Sequence, residues 1–321
     1  MSTNLNANIR LDDVFAQMKT EQENAQRSAK KTTVFNEKNY LQARLGPKES
    51  TKTLVIRLLP FTPEEGTPFH KVYMHQVRVN KEVSESGWKS FPCPVHNGTN
   101  DKCPFCDTSK EARDLKFSTT NELEKKHCND IEFMNRAKEH WVVRCIERGH
   151  EEDGVKFWMF SHSKKGDGVF NKIMNIAKVR YEASLLQGKN TNIFDVNEGK
   201  DLIITLTKDS QGKTVVNVAD ADEKTPLSTD YEQANAWIND PKKWTEVYTT
   251  KSYDYMAIIV KSGVPVYSKE LQRYVDKNQA IADNKAKQEA NIQANLTQPT
   301  EDLSVVSDNI IMDDDDDELP F

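Results

Sequence analysis

Two short cysteine-rich turns limit the folds open to this chain more than any other feature. They read Cys93-Pro94-Val95-His96 and Cys103-Pro104-Phe105-Cys106, so three thiols and an imidazole lie close together in sequence. A two-residue gap lets one tight turn present two ligands, and a tetrahedral Zn²⁺ needs four soft or borderline ligands. The pattern predicts one structural zinc ion without a vacant coordination position, in preference to cysteines that cluster by chance.

Two histidines compete for the fourth ligand position. His96 has the right local spacing, whereas His75 lies further back, at the end of an apolar stretch. The spacing alone leaves both alternatives open. A cytosolic chain with this cysteine spacing favours metal over disulfides. The other two cysteines, Cys128 and Cys145, stand apart from the pattern, and we interpret them as packing residues.

The composition places a good part of the chain outside any hydrophobic core. Only 36% of the 321 residues are apolar and 29% are charged, and strongly polar segments bury too little apolar surface to fold. No stretch approaches the roughly 20 apolar residues of a membrane span, and the polar N-terminus lacks the apolar region of a signal peptide. We therefore expect a cytoplasmic protein with no membrane partner.

The net charge of −6 is unevenly distributed. Residues 300–321 carry nine acidic groups and no Lys or Arg, while the rest of the chain has 44 basic against 41 acidic residues. This asymmetry suggests a body that binds a polyanion and a tail that competes for the same surface.

Hydrophobic patterning divides the chain into an arm at 1–33, a core at 34–278, and a disordered linker with an acidic tail at 279–321. Alternating residues predict strands at 53–60, 69–79, 140–148, 155–162, 201–208 and 213–218. Helical patterns cover 107–138 with a break at Ser118–Thr120, 167–187, and much of 229–278. In the first strand, Leu54, Ile56 and Leu58 face one way and Arg57 faces the other.

The strand predicted at 155–162 has two unlike faces. One is an apolar core face, whereas the other combines Trp158 and Phe160 with Lys156 and His162. Large aromatic rings beside cations are an unusual set to leave in water unless something stacks on them. The alternative is that both rings pack under a loop or a helix.

The order of these motifs and strands along the chain resembles that of the single-stranded DNA-binding (helix-destabilising) proteins of T-even-type bacteriophages. The resemblance runs through most of residues 50–228. It is carried by Leu54–Pro60, the three cysteines of the two turns, Trp141 at the start of a strand, Gly154–Phe160 and Phe170–Ile173.

The family resemblance implies an α+β fold, namely an OB-type five-stranded barrel with an inserted zinc-binding subdomain at about 75–138, flanking helices and a disordered acidic tail. His75 aligns with the family's upstream histidine, although its spacing to Cys93 is longer here. The resemblance therefore favours His75 as the ligand, while local geometry favours His96.

The resemblance also implies sequence-independent, cooperative binding that coats single strands during phage DNA replication, recombination and repair, in the cytoplasm of an infected bacterium. The N-terminal arm would mediate self-association, and the tail would bind replication and recombination proteins. The tip Leu319-Pro320-Phe321 is similar to that of bacterial single-stranded DNA-binding proteins. The arm residues are Lys30, Lys31, Thr32 and Thr33, and the tail residues are Asp313, Asp314, Asp315, Asp316, Asp317 and Phe321.

Single strands expose base faces and a regular row of phosphates, so aromatic rings and cations are the expected contacts. The predicted stacking residues are Trp141, Trp158 and Phe160. The predicted phosphate contacts are Arg57, Arg78, Arg144, Lys164, Lys165 and Lys172.

The motifs disfavour two classes of enzyme. A zinc deaminase uses an H-x-E and a P-C-x-x-C motif, but here His150-Glu151-Glu152 follows the cysteines instead of preceding them. No G-x-x-x-x-G-K-[ST] phosphate loop is present, which disfavours a nucleotide-driven motor. We therefore expect no enzyme. A zinc-ribbon interaction module in transcription and an RNA-binding protein stay open as alternatives.

Overall fold

The computed structural model describes residues 39–46, 48–61, 66–163, 165–295 and 310–311. All of these residues belong to one compact unit, Glu37–Phe321. Some predicted features lie outside the described residues, namely the arm at 1–33 with Lys30–Thr33, the contact Lys164, and the tail residues Asp313–Asp317 and Phe321.

The described part of the chain contains ten strands and seven α-helices. The strands are β1 (Thr51–Leu58), β2 (Phe69–Arg78), β3 (Trp88–Pro92), β4 (Lys138–Glu147), β5 (Lys156–Ser161), β6 (Lys200–Lys208), β7 (Thr214–Lys224), β8 (Pro265–Ser268), β9 (Arg273–Asp276) and β10 (Ile310–Ile311). The helices are α1 (Pro104–Ser118), α2 (Glu122–Asn135), α3 (Val169–Leu186), α4 (Tyr231–Ile238), α5 (Trp244–Val247), α6 (Tyr253–Val260) and α7 (Lys277–Asn295).

The main sheet has seven antiparallel strands in the order β3-β2-β4-β1-β6-β7, with β5 pairing β4. The prediction of a mixed α+β fold is confirmed. The OB-type barrel is not confirmed, because β3 and β7 each pair with a single strand among the described residues and the ring stays open. All six predicted strands are present, whereas β3 is an addition to the prediction.

The leucines and isoleucines on one face of β1 lie in the main hydrophobic core together with those of β6. Trp158 and Phe160 also lie in this core, with only 2% and 7% of their surface exposed. Helix α3 contributes Ile173 to the same core, and the ring centroid of Phe69 lies 6.4 Å from that of Phe160. The prediction that the Trp158 face is open for stacking is therefore wrong, because α3 and β2 contribute side chains that bury it.

Arg57 lies on the opposite face of β1 and is 1% exposed. Its guanidinium donates to the Asp201 carboxylate at 3.2 Å and to the carbonyl oxygens of Asp195 at 2.8 Å and Thr225 at 2.7 Å. Arg148 donates two further hydrogen bonds of 3.0 Å to Asp201. The predicted phosphate contact at Arg57 is corrected by this network, because protein oxygens already take its donors.

A second hydrophobic cluster surrounds the cysteines. It joins Phe91 of β3 and Phe105 of α1 to Tyr255, Met256 and Ile259 of α6. The C-terminal part of the core is therefore packed against the cysteine-bearing part. This packing explains why α6 has a high apolar content despite its short length.

Two C-terminal predictions need correction. Residues 265–268 and 273–276 are strands, although this region is predicted to be helical. Helix α7 runs to Asn295 in a region predicted to be a disordered linker. Alanine, glutamine and lysine favour helix even without an apolar stripe, so the absence of hydrophobic periodicity did not indicate disorder in this segment.

The break predicted after α1 is confirmed by a defined cap. The side chain of Asn121 accepts hydrogen bonds from the backbone amides of Leu123 and Glu124, which starts α2. Among the described residues, no helix combines the length and apolar character needed to cross a bilayer.

We predict that Gly199→Ala destabilises the protein by about 2–4 kcal/mol, because overpacking and disruption of a buried ion pair act together. A Cβ at Gly199 would lie 2.3 Å from the carbonyl oxygen of Asp195 and 2.4 Å from Nη2 of Arg57. Urea unfolding measures the loss. Gly46→Ala is the control, since its nearest neighbour is the flexible Glu49 side chain at 3.4 Å. Equal midpoints for the two variants would contradict the prediction.

Candidate metal centre and nucleic-acid interface

Four side chains from three parts of the chain meet in one cluster. His75 lies in β2, Cys93 follows β3, and Cys103 and Cys106 lie at the start of α1, where Pro104 occupies the first turn. One ligand atom from each of the four lies within 4.8 Å of the others. The set could hold one metal ion, and three thiols with one imidazole are consistent with zinc. It is the ligand set predicted with His75.

The backbone of α2 fixes the orientation of His75. Its Nδ1 lies 2.7 Å from the carbonyl oxygen of Asn135, an acceptor, so Nδ1 carries the proton and donates. The unprotonated Nε2 then faces the thiols, at 3.3 Å from Sγ of Cys103 and 3.8 Å from Sγ of Cys106. Metal-binding histidines use such a bond to fix the tautomer and the ring orientation.

His96 stands on the other side of the thiols. Its Nδ1 lies 3.1 Å from Sγ of Cys93 and 3.6 Å from Sγ of Cys106, and its ring is exposed. His75 is fully buried. The set of mutually close ligand atoms includes His75 and omits His96, which favours the ligand that the resemblance implies.

The thiols also prepare the site for a cation. Hydrogen bonds from Cys103 and Cys106 lower the pKa of Cys93, which favours its thiolate form. Hydrogen bonds with Cys103 and, to a smaller extent, with Cys93 raise the pKa of Cys106. Thiolates are the metal-binding form, and a bound metal displaces the remaining thiol protons.

The loop between the two turns is fastened to β2. Asn97 accepts a hydrogen bond of 2.8 Å from the backbone amide of Tyr73 and donates one of 2.9 Å to its carbonyl oxygen. The backbone amide of Cys93 donates to the same carbonyl oxygen at 2.8 Å. The metal cluster and the Tyr73 segment of β2 are therefore positioned as one unit.

A band of partly exposed rings and cations crosses the sheet beside this loop. Lys71 and Trp141 are opposite each other in β2 and β4, with Nζ of Lys71 5.3 Å from the Trp141 ring. Trp141 stacks on Phe170 of α3, with centroids 4.5 Å apart and planes 11° from parallel. We call Lys71, Tyr73, His96, Trp141 and Phe170 the aromatic strip.

The strip has the chemistry of a nucleic-acid contact. Tyr73 shares the Lys71 face of β2, and its ring lies 5.2 Å from that of His96. Glu139 holds Lys71 in an ion pair of 3.4 Å, which keeps the cation near the Trp141 ring. Partly exposed rings accept bases, and adjacent cations accept phosphates.

A second ring–cation group lies at the start of β4. Phe133 is 50% exposed, and Cζ of Arg136 and Nζ of Lys138 lie 4.6 and 5.0 Å from its ring centroid. Burial, and then the neighbouring Arg136, lower the pKa of Lys138. Ion pairs within the described residues involve neither cation. Two cations beside one ring, with no carboxylate paired to either, favour the binding of an anion from another molecule.

Sequence reasoning missed this group, although a signal was available. Arg136 and Lys138 lie within five residues of Trp141, itself a predicted contact. Trp88 was missed as well. Its ring is 45% exposed and lies 5.3 Å from Cζ of Arg78, which is also exposed.

The remaining predicted contacts are dispersed. Lys165 is exposed, whereas Nζ of Lys172 donates to the carbonyl oxygen of Val216 at 2.6 Å. Arg144 faces away from Trp141 on β4 and donates to the carbonyl oxygen of Ile238 at 3.4 Å. The structure brings Trp141 into the strip and leaves Arg78 and Lys165 on the surface. Their contact with nucleic acid stays a prediction.

One protein-family model matches the chain. A family model described as gp32 DNA binding protein like matches residues 50–237, more than half of the chain. The chain belongs to this family. The matched range contains the metal cluster and the whole aromatic strip, and family membership supports DNA binding. No curated protein matches the chain.

We predict that Cys103→Ser abolishes stoichiometric metal binding, because it removes one of the three thiolates of a four-ligand site. Cys128→Ser is the matched control, since this cysteine is also buried but lies outside the cluster. His75→Gln should lose the metal and His96→Gln should keep it. Elemental analysis of the purified variants measures the content. Full metal content in Cys103→Ser, or loss only in His96→Gln, would contradict this ligand assignment.

We predict that Lys138→Gln weakens DNA binding and reduces the slope of log K against log salt by about 1, because one phosphate contact is lost. Lys178→Gln is the control, since Lys178 is exposed on α3 beside Glu182 and away from the strip. Fluorescence titrations at several salt concentrations give both slopes. The idea fails if the two variants have the same slope.

Proposed function

We propose that this chain binds single-stranded DNA without sequence preference. The observation that carries the proposal is the aromatic strip inside the residues matched by the DNA-binding family model. A duplex hides its base faces, whereas a single strand offers them for stacking. A strip of rings therefore favours unpaired nucleotides.

The binding mechanism follows from these groups. Each base stacked on an aromatic ring contributes about 1–3 kcal/mol, as measured by alanine substitution in other proteins. Cations such as Lys71, Arg136 and Lys138 displace counterions from the phosphates, which makes affinity fall with salt. Neither interaction reads base edges, so any sequence should be accepted.

The proposed role of the metal is structural. His75 and the three cysteines would hold one Zn²⁺, and a four-coordinate site leaves no position for a substrate. A bound zinc ion supplies a cross-link between β2, the loop after β3, and α1. These residues then keep Tyr73 and His96 in place at one end of the strip. We accordingly propose a binding protein and not an enzyme.

The wider role is proposed from the resemblance to phage proteins. The chain would coat single strands cooperatively during phage DNA replication, recombination and repair in an infected bacterium, on an OB-type scaffold. Residues 1–33, with Lys30–Thr33, would mediate self-association. Asp313–Asp317 and Phe321 would recruit replication and recombination proteins.

A titration that follows tryptophan fluorescence tests the function. We expect a strong response to oligo(dT), a similar response to mixed-sequence single strands, and a much weaker response to duplex DNA of the same length. Preference for duplex DNA would contradict the proposal and favour a zinc-ribbon module. Equal or tighter binding to RNA would favour the RNA-binding alternative.

Two deletions test the proposed terminal regions. Removing residues 300–321 should tighten DNA binding, because nine acidic groups no longer compete with phosphates. Removing residues 1–33 should reduce cooperativity on long strands more than affinity for a short oligonucleotide. Unchanged affinity of the first variant, or unchanged cooperativity of the second, would rule out the corresponding role.

A further inference from the structure

The residues after the family match form a distinct C-terminal module. The match ends at residue 237, whereas the module comprises α6, β8, β9 and β10. Helix α6 anchors it to the cysteine-bearing part through Tyr255, Met256 and Ile259. The family match ends before this module, and the aromatic strip contains no residue of it.

Strand β8 is the centre of the module's sheet. On one side it pairs with β9, with Val266 opposite Val275 and Tyr267 opposite Tyr274. On its other side it pairs with β10, where Ile311 is opposite Tyr267. Without β10, that side of β8 would be an open edge with unpaired backbone donors and acceptors.

We propose that the outer edge of β8 is a strand-docking site and that its occupant is the segment around Ile310–Ile311 of the same molecule. Backbone pairing of this kind adds an extended segment to a sheet edge and places its side chains in neighbouring pockets. The proposal does not depend on DNA binding.

The chain is long enough for this contact within one molecule. Helix α7 begins directly after β9 and its 19 residues extend about 28 Å. The 14 residues between Asn295 and Ile310 can span up to roughly 46–50 Å. The segment can therefore return from the far end of α7 to β8 without a second copy.

A cleft adjoins β8. It has a volume of about 330 Å³ and lies between the β8–β9 hairpin and α7. Val266, Leu271, Val275 and Ala280 contribute its apolar lining, and Glu270, Asp283 and Lys287 contribute its charged lining. Because side chains alternate across a strand, a docked strand turns every second side chain toward one face of the sheet. The lining combines apolar side chains with charged ones, and Lys287 is paired with Glu270.

The register also limits the contact. Pairing is antiparallel, with Ile310 opposite Ser268 and Ile311 opposite Tyr267. Proline has no backbone N–H and cannot extend a ladder as a donor. The strand site therefore ends near Pro265.

Hydrogen–deuterium exchange of the full-length chain tests the docking site. The double variant Ile310→Pro/Ile311→Pro removes both backbone donors of the docked strand, whichever one faces β8. The matched control is Thr300→Pro, which also places two prolines in succession but outside the paired segment. We expect exchange in the 265–268 peptide to be about tenfold faster in the double variant and unchanged in the control.

Two further measurements keep the result decisive. Exchange in α6 should stay the same in every variant, which distinguishes a local effect from a general loss of structure. A chain lacking residues 300–321 should show the same exchange at residues 265–268 as the double variant. Equal exchange of residues 265–268 in the wild-type, double-variant and truncated chains overturns the proposal. Sedimentation should show no change in mass, and a wild-type dimer that the double variant loses would assign the site to a second copy instead.

Discussion

The hydrogen bond between His75 and the Asn135 carbonyl constrains the part of the structure that contains the cysteine cluster and the aromatic strip. It fixes one nitrogen as a donor and turns the other toward Cys103 and Cys106. The bond also joins β2 to the end of α2, immediately before Arg136 and the start of β4. One buried interaction thereby positions the side chains that could hold a metal ion and the strands that carry the aromatic strip.

The two faces of the main sheet carry different kinds of polar and aromatic side chains. Lys71, Tyr73 and Trp141 share a face whose outer end is partly exposed. Arg57 and Arg144 occupy the opposite face and bind carboxylate or carbonyl oxygens. A buried cation without such partners would be very costly, so these arginines stabilise the fold and are poor candidates for contact with phosphate.

Local patterns in the sequence predicted the metal cluster and six strands, because ligand spacing and alternation are local properties. They did not predict which faces would be covered. Strand parity placed Trp158 and Phe160 together, but the α3 residues that bury them follow later in the chain. Arg57 was oriented away from the core leucines as predicted, yet its partner Asp201 is 144 residues away. The short strand β3 lacks clear alternation and was missed, and the His75 tautomer depends on a distant carbonyl.

The most direct test removes the metal stepwise from the full-length protein with a chromophoric chelator while oligo(dT) affinity is followed by tryptophan fluorescence. If the metal cluster positions the aromatic strip, affinity should fall in proportion to the metal released and return when Zn²⁺ is restored. Cys128→Ser should behave like the wild-type chain. Undiminished affinity in metal-free, folded protein would contradict the account.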